Sequence, residues 1–315
     1  MNSPKRSTIQ SPDTTNRKLP EWLGSEMNQG DDIAGIIHSV GTNVAEFKPG
    51  DRVAAFHEMR TPGGSYAEYA LSWAHTTFHI PKSTSFEEAA AIPLAALTAV
   101  VGLYSPKTLD LPDPWTPAKE SIPLIVYGGS SAVGSYTIQL ARQSNIHPII
   151  AIAGRAQEHV KGLIDESKGD VVIDYRKGPD AVASAIKDAV KGKEIFYAYD
   201  AISEHGSYET ICKVLSTKGG KITTVLPPKN FDFPQGIEHS ITLVGSVHNE
   251  NKDLGFIYSR FLARGLQEGW FKPQPQEVVP GGLGGVEKAL SNLKEGKASA
   301  VKYVFRIAET EGVSS

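Results

Sequence analysis

From residue 124 to about residue 226 the sequence alternates short apolar runs with segments of helical period. The apolar runs are LIVYGG, PIIAIAG, DVVIDY, IFYAYDAI and KITTVLP, and segments such as SAVGSYTIQLARQSN and AVASAIKDAV lie between them. Strands that are connected through helices pair in parallel, and helices then cover both faces of the sheet. The alternation therefore predicts an α/β fold with a doubly wound parallel sheet.

Composition excludes several other classes of protein. The 315 residues include 32 Lys and Arg, 35 Asp and Glu and one cysteine, with a formal net charge of −3. That length suggests two domains, and the charge provides no basic field, so nucleic acid is not expected as a partner. One cysteine, Cys212, cannot form an internal disulfide or a thiolate-rich metal site. No apolar stretch reaches the ~18 residues that a membrane span needs, so no membrane partner is expected.

Two segments rich in proline interrupt the predicted elements. Residues 1–28 are polar, contain Pro4, Pro12 and Pro20, and lack the apolar region of a secretory signal. We expect a disordered tail there and, by default, a cytoplasmic location. The five prolines of residues 105–123 predict an exposed loop or linker.

The string Tyr127–Gly134 (YGGSSAVG) is the most informative motif, because it joins a predicted buried strand directly to a predicted helix. Backbone N–H groups at a helix N-terminus bind pyrophosphate, and only small side chains let a dinucleotide approach them. Gly128 permits the turn, and Gly134 lets the helix pack close to the strand. The spacing departs from G-x-G-x-x-G, since Gly128, Ser131 and Gly134 are spaced three residues apart. A turn that needs these glycines only for packing is the alternative interpretation.

The end of the next strand indicates which dinucleotide is bound. A carboxylate there would accept hydrogen bonds from the ribose hydroxyls and favour NAD. This chain has Gly154, Arg155, Ala156 and Gln157 instead, and Arg155 offers a planar cation for a 2′-phosphate. We therefore expect NADPH to be preferred over NADH. The alternative is that Arg155 is an ordinary solvated arginine at the start of a helix.

These strings together resemble the medium-chain dehydrogenase/reductase superfamily. VYGGSSAVGSYTIQLA is similar to its cofactor loop, and DIAGIIHSVGTNVAEFKPGDRV, GGSYAEYAL, EEAAAIPLAALTAVVGLY and the C-terminal GGLGGVEKALSNLKEGKASAVKYVFRI agree with it in order. Within the superfamily the chain resembles zinc-free quinone oxidoreductases and fungal trans-enoyl reductases. The resemblance implies a Rossmann cofactor domain inserted in a GroES-like, mostly β catalytic domain, and NADPH-linked hydride transfer.

The resemblance also implies which residues bind the cofactor and how the chain is divided. The residues matched to the cofactor site are Gly128, Ser130, Ser131, Ala132, Val133, Gly154, Arg155, Ala156, Gln157, Tyr175, Leu226, Ala298 and Ser299. We expect part of the catalytic domain over residues 29–95, the cofactor domain over residues 96–255, and a C-terminal return to the catalytic domain over residues 256–315. No catalytic residue is assigned: Tyr66 is a candidate proton donor, but a tyrosine that packs on the face of a strand in SYAEYAL is the favoured interpretation.

No metal site is expected. Zinc-dependent relatives place His-Glu after a glycine and carry several cysteines, whereas Gly30 is followed here by Asp31 and Asp32. His38 and His57 have no thiolate partners and are interpreted as ordinary hydrogen-bonded residues. Without a Lewis acid, reduction of an activated C=C or carbonyl group of enoyl, enone or quinone type is favoured.

Two alternatives compete with this interpretation. Short-chain reductases need a Tyr-x-x-x-Lys pair. That class is excluded because none of the eleven tyrosines has a lysine four residues later. The resemblance begins near Gly30, where relatives have already formed two or three strands, so the catalytic domain is expected to be incomplete at its N-terminus. The alternative function is therefore a truncated, catalytically impaired NADPH-binding paralogue. The family implies a small-molecule or acyl-carrier-linked substrate, and a monomer or homodimer.

Overall fold

A computed structural model of the chain describes residues 30–313, so the tail predicted over residues 1–28 lies outside the described residues. The chain forms two compact units. Unit 1 runs to Leu97 and resumes at Gly245, and unit 2 is Thr98–Val244. Unit 2 is therefore inserted between two segments of unit 1.

The return to unit 1 comes earlier than the boundary expected at residue 255. Residues 245–255 belong to unit 1. Val247 is fully buried, and a Cβ added to Gly255 would lie 2.9 Å from the Cβ of Val247. This close packing attaches the 3-10 turn Val244–His248 to the helix that follows it. The unit boundary therefore precedes that helix.

The elements of residues 30–313 alternate as follows. The strands are β1 (Asp32–Ile36), β2 (Arg52–Phe56), β3 (Thr77–His79), β4 (Leu124–Tyr127), β5 (Ile149–Ala153), β6 (Val171–Asp174), β7 (Tyr197–Asp200), β8 (Gly220–Thr224), β9 (Ile237–Ile241), β10 (Gln276–Val278) and β11 (Lys302–Val304). The α-helices are α1 (Phe86–Ala90), α2 (Pro93–Tyr104), α3 (Ala132–Gln143), α4 (Gln157–Lys161), α5 (Pro179–Ala189), α6 (Ser207–Cys212), α7 (Lys252–Glu268) and α8 (Val286–Lys294). None of these helices combines the length and the apolarity needed to cross a bilayer.

Unit 2 is built on a six-stranded parallel sheet with the strand order β6-β5-β4-β7-β8-β9. Strands β4 and β5 are apolar throughout, and Ile125, Ile150 and Ala198 have no exposed surface. Apolar residues of α5 and α6, including Ile186 and Ile211, pack into the same cluster. The doubly wound sheet predicted from the alternation is therefore confirmed.

Unit 1 contains an antiparallel sheet, β1-β2-β3, and a parallel pair, β10-β11. A buried ion pair connects them, because the Lys302 Nζ lies 2.7 Å from the Asp32 Oδ2. The Asp32 Oδ1 accepts a hydrogen bond of 2.7 Å from the Leu94 N–H, which fixes the start of α2. Both charged side chains are almost fully buried. The pair therefore joins the N-terminal and C-terminal segments of unit 1.

Two local expectations differ from the structure. The segment SYAEYAL alternates like a strand, but residues 65–69 form bends, and Leu71 makes only an isolated bridge. The predicted exposed loop over residues 105–123 buries Leu109 and Leu111. It is held by Ala118, whose N–H donates to the Ser144 carbonyl over 2.9 Å. The segment has the irregular path that its prolines predict, but it is not fully exposed, because its apolar residues are buried.

Two histidines of unit 1 lie in an aromatic cluster behind β2. The His248 ring lies 5.2 Å from the ring centroids of both Phe56 and His75. Within the described residues, neither ring nitrogen of His248 has a hydrogen-bond partner. Burial, with a smaller effect from His75, lowers the pKa of His248 to about 4. The folded protein therefore favours a neutral ring there.

We expect Lys302→Met to destabilise unit 1 by about 3–5 kcal/mol, because it leaves the Asp32 carboxylate buried without a counter-ion. The double variant Asp32→Asn/Lys302→Met should recover part of the loss. Arg264→Gln, which removes the exposed pair with Glu268, is the matched control and should change stability by less than about 1 kcal/mol. Urea unfolding measures all three, and a Lys302→Met variant as stable as the control would contradict this role.

His248 should contribute stability that is lost as the pH drops from 6.5 towards 4, whereas Asp31 and Asp200, with pKa values raised to about 6, act in the opposite direction. In this window the unfolded chain protonates His248 while the folded protein does not, so protons favour unfolding. His248→Phe keeps a ring in the cluster and removes this contribution, so on acidification its thermal midpoint should fall less, or rise more, than that of the wild type. His205→Asn, at an exposed position with positive φ, is the control and should leave the dependence unchanged. A His248→Phe profile identical to that of the wild type would refute the assignment.

Candidate functional site

The carboxyl edge of the parallel sheet in unit 2 is the starting point for a site. Strand β4 lies in the middle of the sheet between β5 and β7. The chain continues from β4 to β5 and β6 on one side, and later from β7 to β9 on the other. Ligands of open α/β sheets bind at the carboxyl edge where the strand order reverses in this way. In this sheet that point lies between β4 and β7.

The turn after β4 begins at Gly128, which has a φ of +83°. The N–H groups of Gly128 and Gly129 both donate to the Ile152 carbonyl over 2.9 Å, which fixes the turn against β5. A Cβ on Gly134 would overlap the Gly128 carbonyl group, and a Cβ on Gly128 would lie 2.5 Å from the Ile202 side chain. Packing alone therefore requires glycine at both positions, and the result is a turn without side chains in front of α3.

Helix α3 directs its N-terminus at this turn. Ser131 is the N-cap, and its Oγ accepts a hydrogen bond of 3.0 Å from the Gly134 N–H. The N–H groups of Ala132 and Val133 fall in the first turn, where the helix itself offers no acceptor. Ser130–Val133 are all half-buried, so ligand-sized groups can reach their backbone. The arrangement suits an anion such as a pyrophosphate.

The loop after β7 forms the neighbouring wall of this edge and was not identified from the sequence. The buried Asp200 carboxylate accepts hydrogen bonds from the N–H groups of Ile202 (3.0 Å) and Ser203 (2.8 Å) and from the Ser207 hydroxyl (2.5 Å). Burial raises the pKa of Asp200 to about 6. These bonds hold Ile202 against Gly128. An aspartate followed by Ser203 and Ser207 is the available sequence signal, but it is a weak one.

A second group of predicted residues lies beyond β5. A Cβ on Gly154 would lie 2.5 Å from the Tyr175 ring, so the absence of a side chain lets the ring approach the backbone. Tyr175 is 48% exposed and offers a flat face to a ligand. Arg155 is exposed, and Gln157 begins α4 after Ala156. The structure therefore brings the predicted ribose-side residues together at one corner of unit 2.

Two charged residues in this corner were missed. Asp174 ends β6 in register with Ala153. The Arg176 guanidinium donates two hydrogen bonds to the Asp174 carboxylate, from Nε to Oδ1 over 2.9 Å and from Nη2 to Oδ2 over 2.6 Å. Hydrogen bonds from Arg176, with a weaker one from Gln157, hold the pKa of Asp174 well below its usual range. The sequence shows Asp-Tyr-Arg at this point, but it does not show that the two outer side chains meet.

The remaining predicted site residues are distributed over both units. Leu226 follows β8 at the same carboxyl edge and is 38% exposed. Ala298 and Ser299 belong to unit 1, where Ala298 packs beside the cluster that contains Tyr303 and Phe305. Their assignment to the cofactor stays a prediction.

Unit 1 contains a small group of titratable residues at the start of β1. Burial, together with the charge of Asp32, raises the pKa of Asp31 to about 6. Burial and the charges of Asp31 and Asp32 raise the pKa of Tyr66. Tyr66 therefore holds its proton more tightly than an ordinary tyrosine, while Asp31 exchanges a proton closer to neutral pH.

The donor groups of the described chain do not fit a zinc ion. Across residues 30–313, no three histidine, cysteine, aspartate or glutamate side chains come together as ligands. The ring nitrogens of His57 lie 2.6 Å and 3.1 Å from the backbone carbonyls of Leu71 and Thr61. The half-buried Cys212 has its pKa raised to about 12, chiefly by burial, which disfavours the thiolate that zinc requires.

Comparison with known proteins gives close relatives in sequence. A trans-enoyl reductase of Gibberella fujikuroi is 56% identical over 269 residues, which is 84% of this chain and 79% of that protein. A trans-enoyl reductase of Alternaria alternata is 30% identical over 295 residues, covering 88% of this chain and 83% of that protein. Both matches extend over most of the two chains.

Solved structures share the fold. A protein of Rhizobium etli described as a putative zinc-dependent alcohol dehydrogenase has a TM-score of 0.76 at 24% identity, over 96% of this chain and 89% of its own. The CurK enoyl reductase gives 0.72 at 19% identity, over 96% and 91% of the two chains. A mycobacterial protein solved in complex with NADPH gives 0.73 at 19% identity, over 96% and 90%.

The alcohol dehydrogenase GroES-like domain model matches residues 5–82. The expectation that the resemblance begins only near Gly30 is therefore wrong. The alternative of a truncated, impaired paralogue is not favoured. The GroES-like domain, the Rossmann sheet and the sequence relatives together confirm the family predicted from the sequence. The chain is an oxidoreductase that belongs to the medium-chain dehydrogenase/reductase superfamily, and its relatives include fungal trans-enoyl reductases.

Proposed function

We propose that this oxidoreductase uses NADPH to reduce an activated C=C bond by hydride transfer without a metal. The observation that carries the proposal is the 56% identity to a trans-enoyl reductase over 84% of this chain. The relative's name indicates an enoyl substrate, and for this chain we propose an enoyl thioester, free or linked to an acyl carrier. Enones and quinones share the same conjugated electrophile.

The residues of unit 2 fit the dinucleotide in two places. The turn at Gly128 and the first turn of α3 would hold the pyrophosphate, since the N–H groups of Ala132 and Val133 have no acceptor within the helix. Gly154 and Tyr175 would hold the adenosine ribose, with Arg155 facing the 2′-phosphate. Bound NADPH supplies the hydride. The protein supplies position and electrostatics.

A metal-free reaction is consistent with the side chains of unit 1. Asp31 and Asp32 stand where zinc-dependent relatives place a ligand pair. Asp32 forms a buried ion pair with Lys302. With no thiolate available, the described residues offer no Lewis-acid site to polarise an alcohol. Conjugation to a carbonyl group already makes the β-carbon of an enoyl group electrophilic, so no such site is needed.

We expect the purified chain to oxidise NADPH in the presence of an enoyl thioester, and to continue doing so after treatment with a zinc chelator. The measurement is loss of NADPH absorbance with a panel of enoyl thioesters, enones and quinones. A chain that binds NADPH but turns over none of these substrates would be a binding protein instead. Binding of NADH alone would contradict the argument from Arg155.

Gly134→Ala should weaken binding of NADPH and NADH alike, by roughly tenfold or more. Its Cβ would overlap the Gly128 carbonyl group, so the turn must move relative to α3. Gly284→Ala is the matched control, because a Cβ at Gly284 has no neighbour within 4 Å. Fluorescence titration of each dinucleotide gives the dissociation constants. Wild-type affinity in Gly134→Ala would exclude this turn as the pyrophosphate site.

A further inference from the structure

The corner of unit 2 proposed for the adenosine ribose carries two opposing charge signals. The end of β5 has no acid and offers Arg155, which favours a 2′-phosphate. The end of β6 has Asp174, in register with Ala153 at the end of β5. A phosphate monoester carries nearly two negative charges, so a bare carboxylate here would repel it and would favour the ribose hydroxyls of NADH instead.

Arg176 compensates the negative charge of Asp174 in this corner. Its Nε and Nη2 form a two-point contact with the carboxylate, and its backbone N–H adds a third hydrogen bond of 3.0 Å to the Asp174 Oδ1. A paired fork of this kind fixes the plane of a guanidinium. Arg176 therefore neutralises Asp174 and is itself held in one orientation.

The guanidinium retains capacity for a second anion. Arginine has five N–H donors, and this contact uses the Nε–H and one N–H of Nη2, which leaves three. The Arg176 side chain is 51% exposed, while that of Asp174 is only 15% exposed. The cation thus covers the carboxylate and remains accessible from solvent. Lys161, a cation at the end of α4, is paired with Glu158 over 2.7 Å.

We propose that Arg176, positioned by Asp174, is a specificity-determining residue that binds the 2′-phosphate of NADPH together with Arg155. This inference rests on the proposed function, since it names the group that selects the cofactor. Asp174 acts only as a positioning residue. The Asp174–Arg176 pair explains how a site with a carboxylate at a strand end can still prefer the phosphorylated dinucleotide.

Arg176→Gln tests the inference because it uncovers Asp174 and removes one charge-assisted contact. NADPH affinity should fall about tenfold or more, while NADH affinity should stay within twofold or increase. Adenosine 2′,5′-bisphosphate should lose affinity in parallel with NADPH, and AMP should not. Lys213→Gln, which breaks the exposed pair with Asp180 in the same unit, is the matched control and should change none of these values.

Isothermal titration of the full chain with the four ligands gives these constants without any turnover. Equal affinities of wild type and Arg176→Gln for NADPH, or an equal loss for NADPH and NADH, would overturn the role of Arg176. Failure of the proposed function looks different. A wild-type chain that binds neither dinucleotide would contradict both proposals. A wild-type chain that binds NADPH and reduces enoyl thioesters, together with an Arg176→Gln variant of unchanged affinities, would contradict only the role of Arg176.

Discussion

The close approach of α3 to the turn after β4 is the constraint on which the cofactor side of the protein depends. Gly134 can lie against the Gly128 carbonyl group only because neither residue has a side chain. That contact sets where α3 starts and leaves the N–H groups of its first turn facing the edge of the sheet. The loop held by Asp200 then packs Ile202 onto the same turn. Any larger side chain at these positions would displace the whole edge.

Unit 1 depends on a different interaction. Asp32 and Lys302 are 270 residues apart in the chain, and the buried contact between them joins β1 to β11. A buried pair contributes little net stability, but loss of one partner is costly, so it specifies which segments must meet. With this pair in place, the 147 residues of unit 2 can be inserted without separating the two parts of unit 1.

The sequence predicted the parallel sheet because strands β4 and β5 are continuous apolar runs, and such runs can be recognised without knowledge of tertiary contacts. It also predicted the glycine turn, because glycines that follow a buried strand and precede a helix mark a place where the backbone must turn tightly. It did not predict the irregular path of residues 65–70, where alternation alone suggested a strand. There the Ser65 N–H donates to the Gly30 carbonyl and the Leu71 N–H donates to the Gly63 carbonyl, so these backbone groups do not form a strand ladder.

The parts of the site that could not be predicted are contacts between side chains. Asp174 and Arg176 are two residues apart, and only the 3-10 turn after β6 brings their charged groups together. The raised pKa of Asp200 likewise comes from burial, which the sequence does not show. Charges that appear to conflict in the sequence, such as those of Asp174 and Arg176, form one hydrogen-bonded pair in the structure.

The central claim is that this chain transfers a hydride from NADPH to an activated C=C bond. The most direct test incubates the protein with NADPH deuterated at C4 of the nicotinamide and an enoyl thioester, and locates deuterium in the product by mass spectrometry and NMR. We expect one deuterium at the β-carbon of a saturated thioester, with the α-proton coming from solvent. A saturated product without deuterium from either face of the labelled cofactor, or no product at all, would contradict the claim.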